Sequence, residues 1–222
     1  MTRRPVIAID GPAGAGKTTA ARNLAERLEL VYLDTGATFR AIALKAIRAG
    51  IALSDEGAIA ALAARSEIRF EGERLERILL DGEDVSEAIR EQAVANASSA
   101  VAVHPALRAG LVELWRKIGS RGGVVLEGRD IGTVVFPDAE IKFFLDARPE
   151  ERAKRRFSEQ SVKEDLSFDR VSQDLRIRDE ADRTRKHSPL LRAKDAIAID
   201  TTELTPEQTL EILLAEAQKR LN

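Results

Sequence analysis

Cysteine is absent from the 222 residues, and Met, Trp and Tyr occur once each. Without cysteine there can be no disulfide, thiol nucleophile, Cys-ligated zinc or iron–sulfur cluster. Only two histidines are present, so a transition-metal cage is not expected either. No apolar run approaches the length of a membrane span, and no membrane partner is expected. Met1-Thr2-Arg3-Arg4-Pro5 leads straight into a strand-like run. It lacks the apolar stretch and cleavage site of a secretory signal, so the expected location is cytoplasmic. An excess of one charge is also missing: 35 Lys and Arg face 37 Asp and Glu, for a net charge of −2. That excludes a chain-wide basic coat for nucleic acid but leaves room for a local basic site.

What is present reads as one large α/β unit. Apolar residues make up 44%, enough over this length to bury a core without staples. Val6-Ile7-Ala8-Ile9 is a short apolar run ending at Asp10-Gly11, the pattern of a buried parallel strand. Lys17–Leu28 follows as a helix with Ala20, Ala21, Leu24, Ala25 and Leu28 on one face. Val31–Leu33 is a second strand, and Thr35–Ala49 a helix closed by Gly50. Asp55–Ala64 is a short helix behind the cap candidate Ser54. From Ile68 to Val85 the pattern alternates around Gly72 and Asp81-Gly82, which predicts antiparallel hairpins. Helices are predicted over Ser86–Val103 and Pro105–Ile118. Strands then end at Glu127-Gly128, Asp146 and Asp200, with helices over Pro149–Ser158 and Phe168–Lys186 between them. Thr205 and Pro206 open a C-terminal helix. Five buried strands interleaved with helices predict a doubly wound parallel sheet with ligands at the carboxyl ends of its strands.

Gly11-Pro12-Ala13-Gly14-Ala15-Gly16-Lys17-Thr18 fits G-x-x-x-x-G-K-[ST] at every position, between a predicted strand and a predicted helix. Glycines let backbone N–H groups converge on a polyphosphate, and the helix N-terminus adds its partial positive charge. Lys17 suits the β- and γ-phosphates, and the Thr18 hydroxyl suits Mg²⁺. The motif therefore predicts ATP-type nucleotide binding with magnesium.

Further polar residues fall on the same predicted rim. Asp34-Thr35-Gly36-Ala37-Thr38-Phe39-Arg40 closes the second strand, and Gly128-Arg129-Asp130 closes a central one. Arg178, Asp182 and Arg185 recur at i, i+4 and i+7, one helix face. Arg155-Arg156 ends the preceding predicted helix. Arginine forks suit phosphates. Each feature also has a plainer reading: a salt-laced helix face, a local ion pair at Arg129-Asp130, dipole compensation by Arg155-Arg156, or an N-cap at Thr35.

Taken in order, Ile9–Thr19, Leu33–Arg40, Val94–Ser99, Glu127–Ala139 and Arg178–Arg185 resemble the bacterial cytidylate kinases almost end to end. The run Gly128-Arg129-Asp130-Ile131-Gly132-Thr133-Val134-Val135-Phe136-Pro137-Asp138-Ala139 is far more specific than the phosphate loop. The resemblance implies a P-loop NTPase three-layer sandwich with a five-stranded parallel sheet. It divides the chain into a core over 1–66 and 104–222, a monophosphate-binding α+β insert over 67–103, and a lid near 157–168. It implies phosphoryl transfer from ATP to CMP or dCMP by a monomer, with Mg²⁺. Position by position, it suggests Gly11–Thr19 for ATP and Ser99, Arg108 and Asp130 for cytosine. It puts Arg178 and Asp182 near the pentose, Arg40, Arg129 and Arg185 around the phosphates, and Thr35 among the acceptor ligands. Lys17, Arg129, Arg178 and Arg185 become the catalytic group, with Arg155, Arg156 and Arg185 as candidates for a transition-state clamp. Family members often have Ser at Thr35 and Tyr at Phe39. Thr keeps the hydroxyl, whereas Phe keeps only the ring.

Three other readings remain within view. UMP, or another small phosphate or hydroxyl acceptor, would alter the base pocket. A P-loop switch or ATPase module would turn over ATP without an acceptor, but no Asn-Lys-x-Asp guanine motif occurs. A nonenzymatic structural role leaves the phosphate loop unexplained.

Overall fold

The structure is a computed structural model that describes residues 4–160 and 167–221. Its centre is β1 (Val6–Asp10), a strand apolar on both sides. Val6 and Ala8 pack into one apolar cluster, and Ile7 and Ile9 into another. A strand buried on both faces needs helices above and below, which is the setting of a parallel sheet. The sheet runs β2 (Val31–Asp34), β6 (Val124–Gly128), β1, β7 (Ile141–Asp146), β8 (Ile197–Asp200), with every neighbour parallel. On one face, Ala21 and Leu24 of α1 (Lys17–Arg27) and Leu213 and Ala217 of α8 (Pro206–Leu221) meet Ile7, Ile9, Val125 and Phe143. On the other, α2 (Thr35–Arg48), α3 (Glu56–Ala64), α4 (Gln92–Val101) and α5 (Pro105–Gly119) share a cluster with Leu33, Leu126 and the buried Trp115. The three layers follow. Among the described residues, no helix is long and apolar enough to cross a membrane.

The stretch after α3 forms a separate antiparallel sheet of β3 (Ile68–Glu71), β4 (Arg77–Leu80) and β5 (Glu83–Asp84). Its Ile78, Leu80, Val85 and Ile89 pack into the same cluster as α2 and α5.

Several local expectations are corrected. Asp55, not Ser54, caps α3, accepting from the Ala58 N–H at 2.9 Å. Either residue can cap, but a carboxylate also opposes the helix dipole. The single helix expected over Ser86–Val103 is broken: a 3₁₀ turn at Ala88–Arg90 precedes an extended Glu91, and α4 starts at Gln92. Ile89 and Val94 are both buried in one cluster. Residues five apart point about 140° from each other on a continuous helix, so the break re-aims them. Helix α7 (Phe168–Thr184) stops short of Lys186, which leaves Arg185 extended just past its end. Arg185 is therefore not on the helical face it was expected to share with Arg178 and Asp182. Helix α6 (Pro149–Gln160) runs beyond Arg155 and Arg156, so they do not close it. Of the lid expected near 157–168, residues 161–166 lie outside the described residues. The flanking Phe157 and Phe168 rings meet edge to face, 5.9 Å apart.

Helices α6 and α7 are joined through the buried Arg152. Its guanidinium donates to the Ala147 carbonyl at 3.0 Å, to the Ala13 carbonyl at 3.1 Å, and to Asp179 of α7. One side chain thus ties the phosphate loop to the strand-β7 exit and to α7. Removing one partner of a buried pair strands the other charge, which costs about 3–5 kcal/mol. Asp179→Ala is expected to lower unfolding stability by about that amount in urea titrations. A loss below about 1 kcal/mol, the level of an exposed pair, would contradict this role.

Candidate active site

The carboxyl ends of β1, β2 and β6 share one rim, because register pairs Asp10 with Gly128 and Asp34 with Glu127. A cavity of about 470 Å³ opens there. Beyond β1 the chain must turn sharply under its neighbours. Gly11 has φ +149°, and a Cβ on it would lie 2.0 Å from the Leu145 carbonyl oxygen, so only glycine fits. Gly16 (φ +81°) stands at the N-terminus of α1. Lys17, the first residue of α1, is buried and donates to the Pro12 carbonyl at 2.6 Å. Burial, reinforced by the neighbouring Arg129 and Arg178, pushes its ammonium down to about 7 against the pull of Glu127 and Asp182. Thr18 and Thr19 are exposed on the cavity.

Of the expected nucleotide residues, Ala13, Gly14, Gly16, Lys17, Thr18 and Thr19 line the cavity. Gly11, Pro12 and Ala15 stand outside the lining and shape the loop. Every expected acceptor residue lines it: Thr35, Arg40, Ser99, Arg108, Arg129, Asp130, Arg178, Asp182 and Arg185. They come from α2, α4, α5, the segment after β6, and α7 with its C-terminal flank.

The arginines of this lining are organised by carboxylates. Arg129 donates to Asp182 at 2.7 Å, and Arg185 lies 3.3 Å from the same carboxylate. Burial would raise Asp182, but Arg129 and Arg178 hold it below the usual carboxylate range. Arg40 pairs with Asp34 at 2.6 Å. Arg178 has less compensation: burial and Arg129 push it down to about 10 despite Asp182. Arg185 is likewise pushed to about 10, by burial and then Arg108. Both stay protonated at neutral pH.

Arg108 and Asp130 form a 2.6 Å pair with both side chains buried. The Arg108 guanidinium sits 5.3 Å over the Phe39 ring, which packs edge to face on Trp115. Arg108 Nε and one Arg185 terminal nitrogen are buried donors with no hydrogen-bond partner among the described residues. The Thr35 hydroxyl is spent on the Glu127 carbonyl at 2.6 Å. Thr35 begins α2 and is not its cap, a role that Asp34 takes by accepting from the Ala37 N–H.

Two features escaped the sequence reading, the Glu127 carboxylate and a π-helical turn, and the expectation for Arg155 and Arg156 divides. Glu127 is buried at the end of β6, lines the cavity, and accepts from the Tyr32 hydroxyl at 2.6 Å. Three apolar residues, Val124-Val125-Leu126, followed by an acid at a strand end were the available signal. Arg156 lines the cavity, whereas Arg155 does not. Arg155 is held against Thr201, donating to its hydroxyl at 3.0 Å and its carbonyl at 2.5 Å. A π-helical turn over Ile131–Val135 follows Asp130, with the Phe136 N–H donating to the Ile131 carbonyl at 2.7 Å. No group of three or more His, Cys, Asp or Glu able to hold a metal occurs among the described residues. Thr18 and Glu127 place a hydroxyl and a carboxylate on the cavity wall, hard oxygen donors of the type that could hold a Mg²⁺ carried on phosphates.

The chain also resembles known proteins. The profile of the cytidylate kinase family matches residues 7–219. A cytidylate kinase of Syntrophotalea carbinolica is 50% identical over 99% of this chain and 94% of its own length. One from Listeria monocytogenes serovar 1/2a is 44% identical over the full length of both. Among solved structures, a gluconokinase from Sinorhizobium meliloti shares the fold with a TM-score of 0.54 at 13% identity, over 100% of this chain and 97% of its own.

The depressed Lys17 makes anion binding pH-dependent. A polyphosphate beside it favours the charged form, so its pKa rises on binding. Between the free and bound values, binding takes up protons, about one per site at most. Affinity for ATP should therefore fall as pH rises above 7. Calorimetry near pH 8 in two buffers of different ionisation enthalpy should register net proton uptake. No uptake, or release, would show that Lys17 is fully charged before the ligand arrives.

Proposed function

The chain belongs to the cytidylate kinase family, and from that membership we propose that it transfers the γ-phosphoryl group of ATP to CMP or dCMP, giving ADP and the diphosphate. One observation carries the acceptor assignment: the buried Arg108–Asp130 pair opens into the same cavity as the phosphate loop. Cytosine offers an exocyclic amine donor beside the N3 and O2 acceptors. A carboxylate paired on one oxygen keeps lone pairs free, so Asp130 can accept from the amine while Arg108 donates to N3 or O2. Ser99 adds a hydroxyl at the same wall. Uracil reverses the pattern at two of these atoms and would leave buried groups unpaired, which sites of this kind reject strongly.

On this reading the phosphate loop and Lys17 hold the ATP phosphates, with the Thr18 hydroxyl and Glu127 on the metal side. Magnesium bound with the nucleotide supplies charge neutralisation at the β- and γ-phosphates. Arg40, Arg129 and Arg185 orient the acceptor phosphate, and Arg178 with Asp182 faces the pentose. The nucleophile is a phosphate oxygen already anionic at neutral pH, so no general base is assigned. Positioning and charge stabilisation by Lys17, Arg129, Arg178 and Arg185 carry the rate. Arg156 joins Arg185 as a clamp candidate in place of Arg155. Closure of the 67–103 segment over the cavity would exclude water and suppress ATP hydrolysis. A monomer working in the cytoplasm, where its nucleotide substrates are found, completes this reading.

The direct test is ADP formation from Mg-ATP with CMP, dCMP, UMP, AMP and no acceptor. Strong turnover with CMP and dCMP and little with UMP is the expected result. ADP release that ignores the monophosphate would replace this reading with an ATPase. Arg185→Ala should lower kcat by about 10³-fold while changing the KM for ATP little. A rise in KM with kcat intact would make Arg185 a binding residue only.

A further inference from the structure

Asp10 is a buried carboxylate that none of these roles uses, and it sits where the two halves of the site join. It is the last residue of β1 and immediately precedes the phosphate loop. Its Oδ1 accepts from the Ile131 N–H at 2.8 Å, and its Oδ2 from the Gly132 N–H at 2.7 Å. Those two groups open the π-helical turn and would otherwise be orphaned donors. In the sheet, the Asp10 backbone pairs in register with Gly128. Arg129 and Asp130 lie between the two attachments. One residue thus grips the arch at both ends, by its main chain at Gly128 and by its side chain at Ile131 and Gly132.

We propose that Asp10 is a positioning residue: it sets the Arg129–Asp130 arch, and with it the acceptor, against the phosphate loop. This rests on the cytidylate kinase reading of the site. This carboxylate joins directly the two loops that must present donor and acceptor to each other. In-line transfer tolerates little displacement, so a joint of this kind bears on rate without touching either substrate.

The ionisation of Asp10 argues against a purely structural part. Burial, opposed by the Gly132 and Ile131 N–H groups, pushes its carboxyl up to about 6, with Asp130 raising it further and Lys17 lowering it. The folded carboxyl thus binds protons that the unfolded one has already lost. Stability therefore falls as pH rises from about 3.8 to about 6, and the ionised form at neutral pH is kept at the expense of stability. A neutral hydrogen-bonding side chain would avoid that loss, but it could not accept from both N–H groups in this geometry.

Asp10→Asn retains the size of the side chain and one acceptor. Its amide NH₂ must then face one of the two backbone N–H groups. The expected result is a KM for CMP raised about tenfold and a lowered kcat, with equilibrium ATP binding within about twofold of wild type. A purely structural role would reduce the folded fraction and leave the KM for CMP unchanged; that result overturns the proposal, as does equal weakening of ATP. Gly132→Ala approaches the same bond from the other side, because the new Cβ would lie 3.3 Å from Asp10 Oδ2 and 3.1 Å from Lys142 Cδ. It should move the KM for CMP in the same direction by a smaller factor, and it decides the matter if Asp10→Asn does not fold. An unchanged KM in folded Gly132→Ala, with Asp10→Asn unfolded, also overturns the proposal. If wild type phosphorylates a different monophosphate, the substrate reading fails by itself. The variant-to-wild-type ratios, measured with that acceptor, still test the joint.

Discussion

More positive charge converges on the crevice beside β1 than the chain's own carboxylates can neutralise. Nine cationic side chains line the cavity against five carboxylates. The strain divides by chemistry. Guanidinium cannot shed its proton, so Arg178 and Arg185 remain charged and destabilised, while Lys17 yields and is held near neutrality. Folding then releases the Lys17 proton at pH values between about 7 and its ordinary 10.5, and stability rises with pH across that window. The two apolar clusters on either face of β1 must outweigh this repulsion. A bound polyphosphate removes it. The same imbalance that weakens the free protein is the affinity of the site.

The parts legible in the sequence are those set by short-range pattern. Apolar runs ending in Asp or Glu-Gly marked all five parallel strands; β1, β6 and β7 are buried on both faces and cannot alternate, whereas the expected fifth buried strand, β8, is an edge strand that exposes Ala198. The phosphate loop was legible because strand, glycine spacing and helix all fall within about twenty residues. What escaped depends on partners distant in sequence. Arg152 reads locally as one of several charges on α6; only the fold brings Asp179 and the Ala13 carbonyl to it. Asp10 reads as a strand end, and its two acceptor bonds reach across more than a hundred residues. Arg155 and Arg156 are equivalent by composition, yet the helix turns one toward Thr201 and the other into the cavity. Arg185 shares the spacing of a helical stripe with Arg178, but α7 ends one residue before it. Periodicity cannot locate that stop.

Phe39 illustrates how a missing polar group need not be a missing function. A tyrosine there would offer a hydroxyl that phenylalanine lacks. In this chain the ring supports the Arg108 guanidinium from below and is itself braced by Trp115. Both contacts use the face and edge of an aromatic ring, and neither requires oxygen. The Arg108 guanidinium is thereby fixed from three sides: the ring, Asp130 at 2.6 Å and the Ala102 carbonyl at 3.2 Å.

That fixation bears on why the buried Arg108–Asp130 pair exists at all. A buried ion pair is poor evidence of stabilisation, because well-packed apolar residues of the same volume commonly do as well or better. Here the pair is also incomplete. Arg108 Nε has no partner among the described residues, and Asp130 has only a distant contact, 3.8 Å, from Arg185 on its other oxygen. A pair selected for stability would close these gaps. On the reading proposed above, in which the pair recognises a base, the gaps have a use, since a donor and an acceptor already saturated by protein could not distinguish one pyrimidine edge from another. The unsatisfied atoms, the opposed charges and the rigid ring beneath them are therefore one arrangement, in which stability is given up at the positions where a ligand restores it.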